Sequence, residues 1–250
     1  PLDLKALFDD KTQPYATLPT YHFFIAWIAK ITNAATLPSL RGYSFIFGLI
    51  SMFVFLISAR KLDPDSYDIR TVQYCLFPIL FPYFFLLYTD VTSLLFVLLM
   101  FYYFLRKNCL WTGLFGIAGM LIRQNNIVWL AFFFLLLYFN EYGMRFSPQF
   151  LFRHFLKAWI FILGFLLFLA FVIVNKGVAI GTRDIHHFSF HLGNIYFILF
   201  VFFFMFLPLN VFNWPKVTQT LKNKKMFIGL SVFFIIYMIN FRNDNPYNQA

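Results

Sequence analysis

Charged residues are scarce in this 250-residue sequence: Asp, Glu, Lys and Arg make up 12% of it, against about 25% in an average soluble domain. Hydrophobic residues make up 61%, and 40 residues are phenylalanine. A soluble fold of this length has too little interior to bury so much apolar surface, and the same composition excludes a disordered chain. We therefore expect an integral membrane protein.

Cysteine is also scarce, since Cys75 and Cys109 are the two in the sequence. They lie at or beside apolar runs and show neither a disulfide framework nor a metal-binding spacing, so these two residues predict neither kind of site. The sequence lacks a Walker loop, a G-x-G-x-x-G turn and a G-x-S-x-G elbow, and therefore gives no support for nucleotide chemistry within this chain.

Long apolar runs recur from one end of the sequence to the other. They are too long and too uniformly apolar for barrel strands, so we predict an all-α polytopic fold with about eight spanning helices. The predicted spans are 43–59, 72–88, 90–105, 110–122, 126–140, 156–174, 194–213 and 226–240.

A shorter run at 19–32 contains His22 and Lys30 and favours an interfacial or re-entrant helix. The predicted domains are a luminal segment at 1–42, a transmembrane domain at 43–240 and a luminal tail at 241–250.

The net charge of +10 could indicate a nucleic-acid surface, but the basic residues stand in short clusters between apolar runs. With these spans, twelve Lys and Arg residues lie on one side of the membrane and eight on the other. The positive-inside rule makes the first side cytosolic, and no nucleic-acid partner is predicted. The polar segments at 88–90, 123–126 and 175–193 then share the opposite side with the N-terminal segment.

Three carboxylates on that side are candidate catalytic groups. Asp9 and Asp10 could act as a general base or bind a metal, and the alternative is an ordinary solvated turn. Asp90 stands between two apolar runs, where an ionisable residue needs water or a partner. It could instead be the N-cap of the helix at 90–105.

Two further segments are candidate substrate-binding sites. Arg123, Gln124 and Asn125 could bind a phosphate and hydroxyl groups, whereas the alternative is that Arg123 extends to the lipid headgroups. Arg183, His186 and His191 lie in one loop and could donate hydrogen bonds to a sugar or a phosphate. For that loop the alternative is a solvated segment without function.

These motifs resemble the dolichyl-phosphate-glucose α-1,2-glucosyltransferase family of the endoplasmic reticulum, within the C-type superfamily of lipid-donor glycosyltransferases. The resemblance rests on Y-T-D-V-T-S at 88–93, R-Q-N-N-I-V-W at 123–129 and G-T-R-D-I-H at 181–186 followed by His191. It covers most of 8–240, with a diverged N-terminal motif around Phe8-Asp9 and Thr17-Leu18-Pro19.

The resemblance implies transfer of the terminal α-1,2-linked glucose from dolichyl-phosphate-glucose to the dolichol-linked oligosaccharide precursor of N-glycosylation. It implies a multi-pass protein of the endoplasmic reticulum membrane, with inversion of the donor linkage and no cofactor. The family's acidic motif, with its probable base, lies before the matched part, so the chain is expected to be inactive by itself. A mannosyltransferase of the same superfamily, a channel regulator and a transporter remain alternatives.

Overall fold

The computed structural model describes residues 20–175, 177, 192–207, 211 and 213–240, and this part of the chain is helical without any strand. The all-α class is therefore confirmed. The α-helices of the described residues are α1 Thr20–Thr32, α2 Leu37–Leu62, α3 Tyr67–Cys75, α4 Thr89–Leu105, α5 Cys109–Ile122, α6 Ile127–Tyr142, α7 Pro148–Lys157, α8 Trp159–Asn175, α9 Leu192–Met205, α10 Trp214–Leu221 and α11 Lys224–Asn240.

The chain divides into two compact units, Pro1–His186 and His187–Ala250. In the second unit α9 packs against α11, where the rings of Tyr196 and Tyr237 meet edge to face with centroids 4.3 Å apart. These units are not the predicted domains, which divide the chain into luminal and transmembrane segments, and that division stays a prediction.

Helix α5 lies at the centre of the first unit and contacts α1, α4, α6 and α8. Its neighbours approach closely because it carries glycine where they touch it. A Cβ added at Gly113 would collide with the branched side chain of Ile160 on α8, and one at Gly116 would collide with Leu130 on α6. Beside these contacts Met100, Leu130, Phe133, Ile160 and Phe161 form a buried apolar cluster with Ala158.

Several predicted spans coincide with helices of the structure. The runs at 90–105, 110–122, 126–140 and 226–240 match α4, α5, α6 and α11 to within two residues at each end. The run at 43–59 falls inside α2, which begins at Leu37. The short helix predicted at 19–32 is α1, although its placement at the membrane surface is not tested by the fold.

The prediction of one continuous helix at 72–88 is wrong. Helix α3 ends at Cys75, and a 3-10 turn at Phe81–Phe85 follows after a break. Pro78 and Pro82 explain the break, because proline lacks the backbone N–H and disfavours a helical conformation of the residue before it.

The predicted run at 156–174 is also divided. Lys157 ends α7, and α8 begins at Trp159 after a bend of 80°. Helix α8 packs along α5 and α6, so α7 turns away from the direction of the bundle. Within the run predicted at 194–213, α9 ends at Met205, and residues 208–210 and 212 lie outside the described part of the chain.

Among the described helices, α2 is long and apolar enough to cross a membrane by itself. The bent pair of α7 and α8 meets the same test when it is counted as one span. Helices α4 and α5 are apolar but shorter. The number of spans predicted from the sequence is therefore not established by helix length.

A tight turn joins α4 to α5. Lys107 has a left-handed backbone with φ of 56°, and its N–H donates to the Phe104 carbonyl at 2.8 Å. The N–H of Asn108 donates to the Tyr103 carbonyl at 3.0 Å, which completes a Schellman motif. Asn108 then caps α5 by accepting from the N–H of Trp111 at 3.2 Å. The turn makes the two helices antiparallel neighbours.

We expect Gly113→Ala to destabilise the chain. Ile160 is branched at Cβ and buried, so it cannot rotate away from the new methyl group. Overpacking of this kind costs about 1–3 kcal/mol, which exceeds the gain of roughly 1 kcal/mol in helix propensity. Thermal unfolding in detergent micelles measures the effect.

Gly42→Ala is the matched control, because Gly42 lies in α2 and a Cβ there would meet no atom within 4 Å. This variant gains helix propensity without a collision, so its unfolding midpoint should stay equal or rise. If Gly113→Ala unfolds at the same temperature as Gly42→Ala, close packing of α5 does not stabilise the fold.

Candidate functional site

The candidate site lies where α4 begins and α5 ends. Asp90 is in the first turn of α4, and Arg123 follows the last residue of α5 with an extended backbone. The guanidinium Nη1 donates to Oδ1 of Asp90, and the two side chains are 31% and 36% exposed. Two residues that are 33 positions apart in the sequence therefore form one ion pair at the rim of the bundle.

Both charges suit the helix ends that carry them. A carboxylate is stabilised at the start of a helix, and a cation is stabilised at the end of one. Because α4 and α5 are antiparallel, the start of α4 and the end of α5 lie together. The ion pair follows from this arrangement of helix dipoles as well as from the opposite charges.

The structure tests one alternative interpretation of Asp90 and one of Arg123. The N-cap of α4 is Tyr88, and its side chain makes no capping hydrogen bond, so the interpretation of Asp90 as N-cap is wrong. The interpretation that Arg123 simply extends to the headgroups does not account for its pairing with Asp90.

Asn126 holds three helices together beneath the ion pair. Its Nδ2 donates to Oγ of Ser93 on α4 and to the carbonyl of Gly119 on α5, both at 2.8 Å. Asn126 itself lies in the 3-10 turn before α6 and is 6% exposed. Because both of its amide hydrogens are used, this one side chain fixes where Arg123 leaves α5.

The sequence places Asn126 among the three amides after Arg123, and Ser93 in the motif at 88–93, but it predicts no contact between them. Ser93 is three residues after Asp90, a spacing that places both residues on one face of a helix. This spacing predicts that Ser93 lies beside Asp90 on the surface of α4. The sequence suggested ligand binding for Asn126, and its contacts within the fold could not be predicted, because its partners come from helices that meet only in the tertiary structure.

The two amides next to Arg123 differ in their surroundings. Gln124 is 6% exposed and Asn125 is exposed, within the same 3-10 turn. Only Asn125 is therefore open to a ligand from outside. Their predicted role in substrate binding stays a prediction.

Helix α1 packs beside this end of the bundle. Tyr21 and Ile25 form a buried cluster with Ile122, which directly precedes Arg123. The Tyr21 hydroxyl lies 3.2 Å from the Ser44 hydroxyl of α2. These contacts connect the N-terminal part of the described chain to the base of the site.

The remaining candidates, Asp9, Asp10, Arg183, His186 and His191, lie outside the described residues. Their predicted roles stay predictions. In the described part the site offers a partly exposed guanidinium whose orientation is fixed by a carboxylate. A planar guanidinium can donate two parallel hydrogen bonds to a phosphate, which makes an anion the natural ligand of this site.

Comparison with known proteins gives one consistent result. The model of the DIE2/ALG10 family matches residues 9–146 and 143–245. The chain is 27% identical over 234 residues to a protein of Debaryomyces hansenii named Dol-P-Glc:Glc(2)Man(9)GlcNAc(2)-PP-Dol alpha-1,2-glucosyltransferase, covering 82% of this chain and 49% of that protein.

Proteins of the same name from two mammals are similar at comparable levels. The Mus musculus protein is 28% identical, and the match covers 67% of this chain and 44% of that protein. The Homo sapiens protein is 25% identical, and the match covers 74% of this chain and 47% of that protein. The chain spans about half the length of the curated relatives it matches. No solved structure matches it.

We expect Asn126→Ala to lower the stability of the fold and to weaken the Arg123–Asp90 pair. The substitution removes both hydrogen bonds and leaves the buried Ser93 hydroxyl without its partner, a loss of about 1–3 kcal/mol. Asn125→Ala is the control, because it removes the same amide from an exposed position of the same turn. Equal unfolding midpoints for the two variants in detergent would contradict the role given to Asn126.

Proposed function

Because this chain belongs to the DIE2/ALG10 family, we propose that it forms part of an α-1,2-glucosyltransferase that takes glucose from dolichyl phosphate. The acceptor in this proposal is the dolichol-linked oligosaccharide precursor of N-glycosylation, as in the relatives' name. The observation that carries the proposal is the Arg123–Asp90 pair within two of the motifs that resemble the family.

The proposed location is the endoplasmic reticulum membrane, crossed several times. Large apolar side chains stay exposed along the described helices, as a lipid-facing surface requires. On α8, Leu166 is 58% exposed, Ile173 66% and Val174 79%. Helices shorter than about 20 residues can take part in such a bundle where the bilayer thins or where they border a polar cavity. In this proposal Asp90 and Arg123 face the lumen.

Arg123 binds the donor's phosphate in this proposal. One of its nitrogens is engaged by Asp90, and the guanidinium has further N–H groups for phosphate oxygens. The bond to Asp90 fixes the plane of the guanidinium before the donor arrives. Asp90 thus acts as a positioning residue, since its Oδ1 already accepts from Arg123.

The proposed reaction is one displacement at the anomeric carbon of glucose. The acceptor oxygen forms the new bond as the bond to the phosphate oxygen breaks, which inverts a β-linked donor into an α-glucoside. Dolichyl phosphate leaves with the electron pair, and Arg123 stabilises its negative charge. A luminal carboxylate takes the acceptor's proton, for which Asp9 and Asp10 are this chain's candidates.

Arg183, His186 and His191 complete the proposed site as donors to the phosphate or to sugar hydroxyls. Asn125 is the exposed amide beside Arg123 and has the same kind of role, while Gln124 supports the turn from its buried position. The proposal needs no cofactor besides the lipid-linked donor.

We expect glucose transfer from dolichyl-phosphate-glucose in microsomes that lack their own terminal glucosyltransferase and contain the protein carrying this chain. Dolichyl-phosphate-mannose at the same concentration is the second donor. Radiolabelled lipid-linked oligosaccharide is the product to measure. Transfer from the mannose donor alone would favour a mannosyltransferase, and absence of any sugar transfer would favour a non-enzymatic membrane protein.

In the same assay we expect Arg123→Lys to lose much of the rate although the positive charge is kept. A lysine cannot reproduce a bidentate contact to phosphate while also pairing with Asp90. Losing a charged hydrogen bond amounts to about 1.5–3 kcal/mol, or roughly 10- to 150-fold in rate at equal protein level.

Arg41→Lys is the matched control, because Arg41 is an exposed arginine near the start of α2 and on the same predicted side. It should keep the parent rate. If Arg123→Lys and Arg123→Ala both keep that rate as well, Arg123 does not bind the donor phosphate and the phosphate site is elsewhere.

A further inference from the structure

A cavity of about 240 Å³ lies at the opposite end of the same helices, among the start of α5, the end of α6 and α7. It is lined by Lys107, Cys109, Asn140, Glu141, His154 and Lys157, together with Leu137. Helix α4 has 17 residues, so this cavity is about 25 Å from the Arg123–Asp90 pair. It is therefore a second site, distinct from the one assigned to the donor.

Two lysines give the cavity its charge. Lys157 donates to Oε2 of Glu141 at 2.8 Å, whereas Lys107 forms no ion pair within the described residues. The hydrogen bond to Glu141 raises the pKa of Lys157, so its ammonium is retained. Because Glu141 balances one lysine, the cavity keeps one positive charge for an anion.

The Schellman motif fixes the position of Lys107. The left-handed backbone at this residue usually holds glycine, yet a lysine occupies it here. Its Cα is anchored by the hydrogen bonds that close α4 and begin α5. The ammonium therefore extends from a rigid point at the mouth of the cavity.

His154 supplies an unused acceptor. Its Nε2 lies 3.1 Å from the carbonyl of Phe134, which can only accept, so the hydrogen is on Nε2. Burial lowers the pKa of His154, which keeps the ring neutral and leaves a lone pair on Nδ1. Within the described residues this Nδ1 has no hydrogen-bond partner, and because it is buried, a hydroxyl donor reaches it when the His154 side chain shifts toward the cavity.

The surface of α7 next to the cavity suits a membrane interface. With 3.6 residues per turn, apolar side chains occupy one side of this helix and Arg153 and Lys157 the adjoining side. Leu151, Phe152, Phe155 and Leu156 are 38–64% exposed. A helix with this division lies in the plane of a membrane surface, and the 80° bend before α8 gives α7 such an orientation when α8 spans the bilayer.

We propose that this cavity binds the headgroup of an anionic phospholipid that joins a phosphodiester to free hydroxyls, as phosphatidylinositol does. Lys107 and Lys157 bind the phosphate, and His154 and Asn140 bind the hydroxyls. The volume is below the roughly 300–1,000 Å³ of pockets that enclose whole drug-sized ligands, so the acyl chains lie outside, against the apolar side of α7. The membrane orientation is the one proposed above, and the site itself does not depend on glucosyl transfer.

The cytosolic side predicted by the charge distribution agrees with this occupant. The cytosolic leaflet is the one that carries an excess of anionic lipid, and basic residues at its surface bind such lipids. The tight turn at Lys107 and the segment before α7 are both on that predicted side. The cavity therefore faces the leaflet in which an inositol phospholipid is present.

The test measures binding of the purified chain in nanodiscs by native mass spectrometry and by thermal unfolding. Discs of phosphatidylcholine receive an equal fraction of phosphatidylinositol or phosphatidylserine. We expect tighter retention and a higher unfolding temperature with phosphatidylinositol. Equal effects of the two anionic lipids would overturn the assignment of hydroxyl contacts, and no effect of either would overturn the site.

A substitution of Lys107 tests its proposed contact with the phosphate. Lys107→Gln should weaken phosphatidylinositol binding by about tenfold, the size of one charge-assisted hydrogen bond. Lys222→Gln is the control, since Lys222 is an exposed lysine of the second unit on the same predicted side. Equal binding by both variants would overturn the site.

His154→Phe keeps a ring but removes the acceptor, and we expect about a threefold loss. If this variant unfolds, the exposed Asn140→Ala replaces it as the test of the hydroxyl contacts. Soluble inositol 1-phosphate, added to discs of phosphatidylcholine alone, distinguishes a lipid from a free phosphate. Binding of the soluble compound as tight as that of the lipid would overturn the lipid assignment.

Discussion

The close approach of α5 to its neighbours is the constraint on which the first unit depends. Glycine at 113 and 116 lets α8 and α6 come so near that a single methyl group would collide with them. This packing fixes both ends of α5 at once. Directly after its last residue the chain presents Arg123 to Asp90, and before its first residue the capped turn presents Lys107 to a cavity.

The sequence predicted well those features that depend on local composition. Uniformly apolar runs gave α4, α5 and α6, and alternation of the loops predicted that Asp90 and Arg123 share one side, where the structure indeed joins them. The break in the helix after Cys75 does not show in the hydropathy of the run at 72–88, because Pro78 and Pro82 hardly change the mean hydropathy. The two prolines act on backbone hydrogen bonding, and they are the signal in the sequence that predicts the break.

Other features could not be predicted from one sequence. The two hydrogen bonds of Asn126 join helices that are adjacent only in the folded chain. No proline or glycine stands at the 80° bend between α7 and α8, and the run predicted at 156–174 joined the last residues of α7 to α8. The partners of Asn126 are distant in sequence, so local periodicity does not predict these contacts.

The proline break between α3 and α4 leaves α3 as a short helix that relies on its neighbour. Nine helical residues, about 14 Å, reach only halfway through a hydrocarbon layer of about 30 Å, so this segment cannot partition stably into lipid by itself. Helix α3 packs against α2, and the 3-10 turn that follows contacts α2 and, to a smaller extent, α4. The position of α3 therefore depends on α2, and a change that displaces α2 displaces this segment with it.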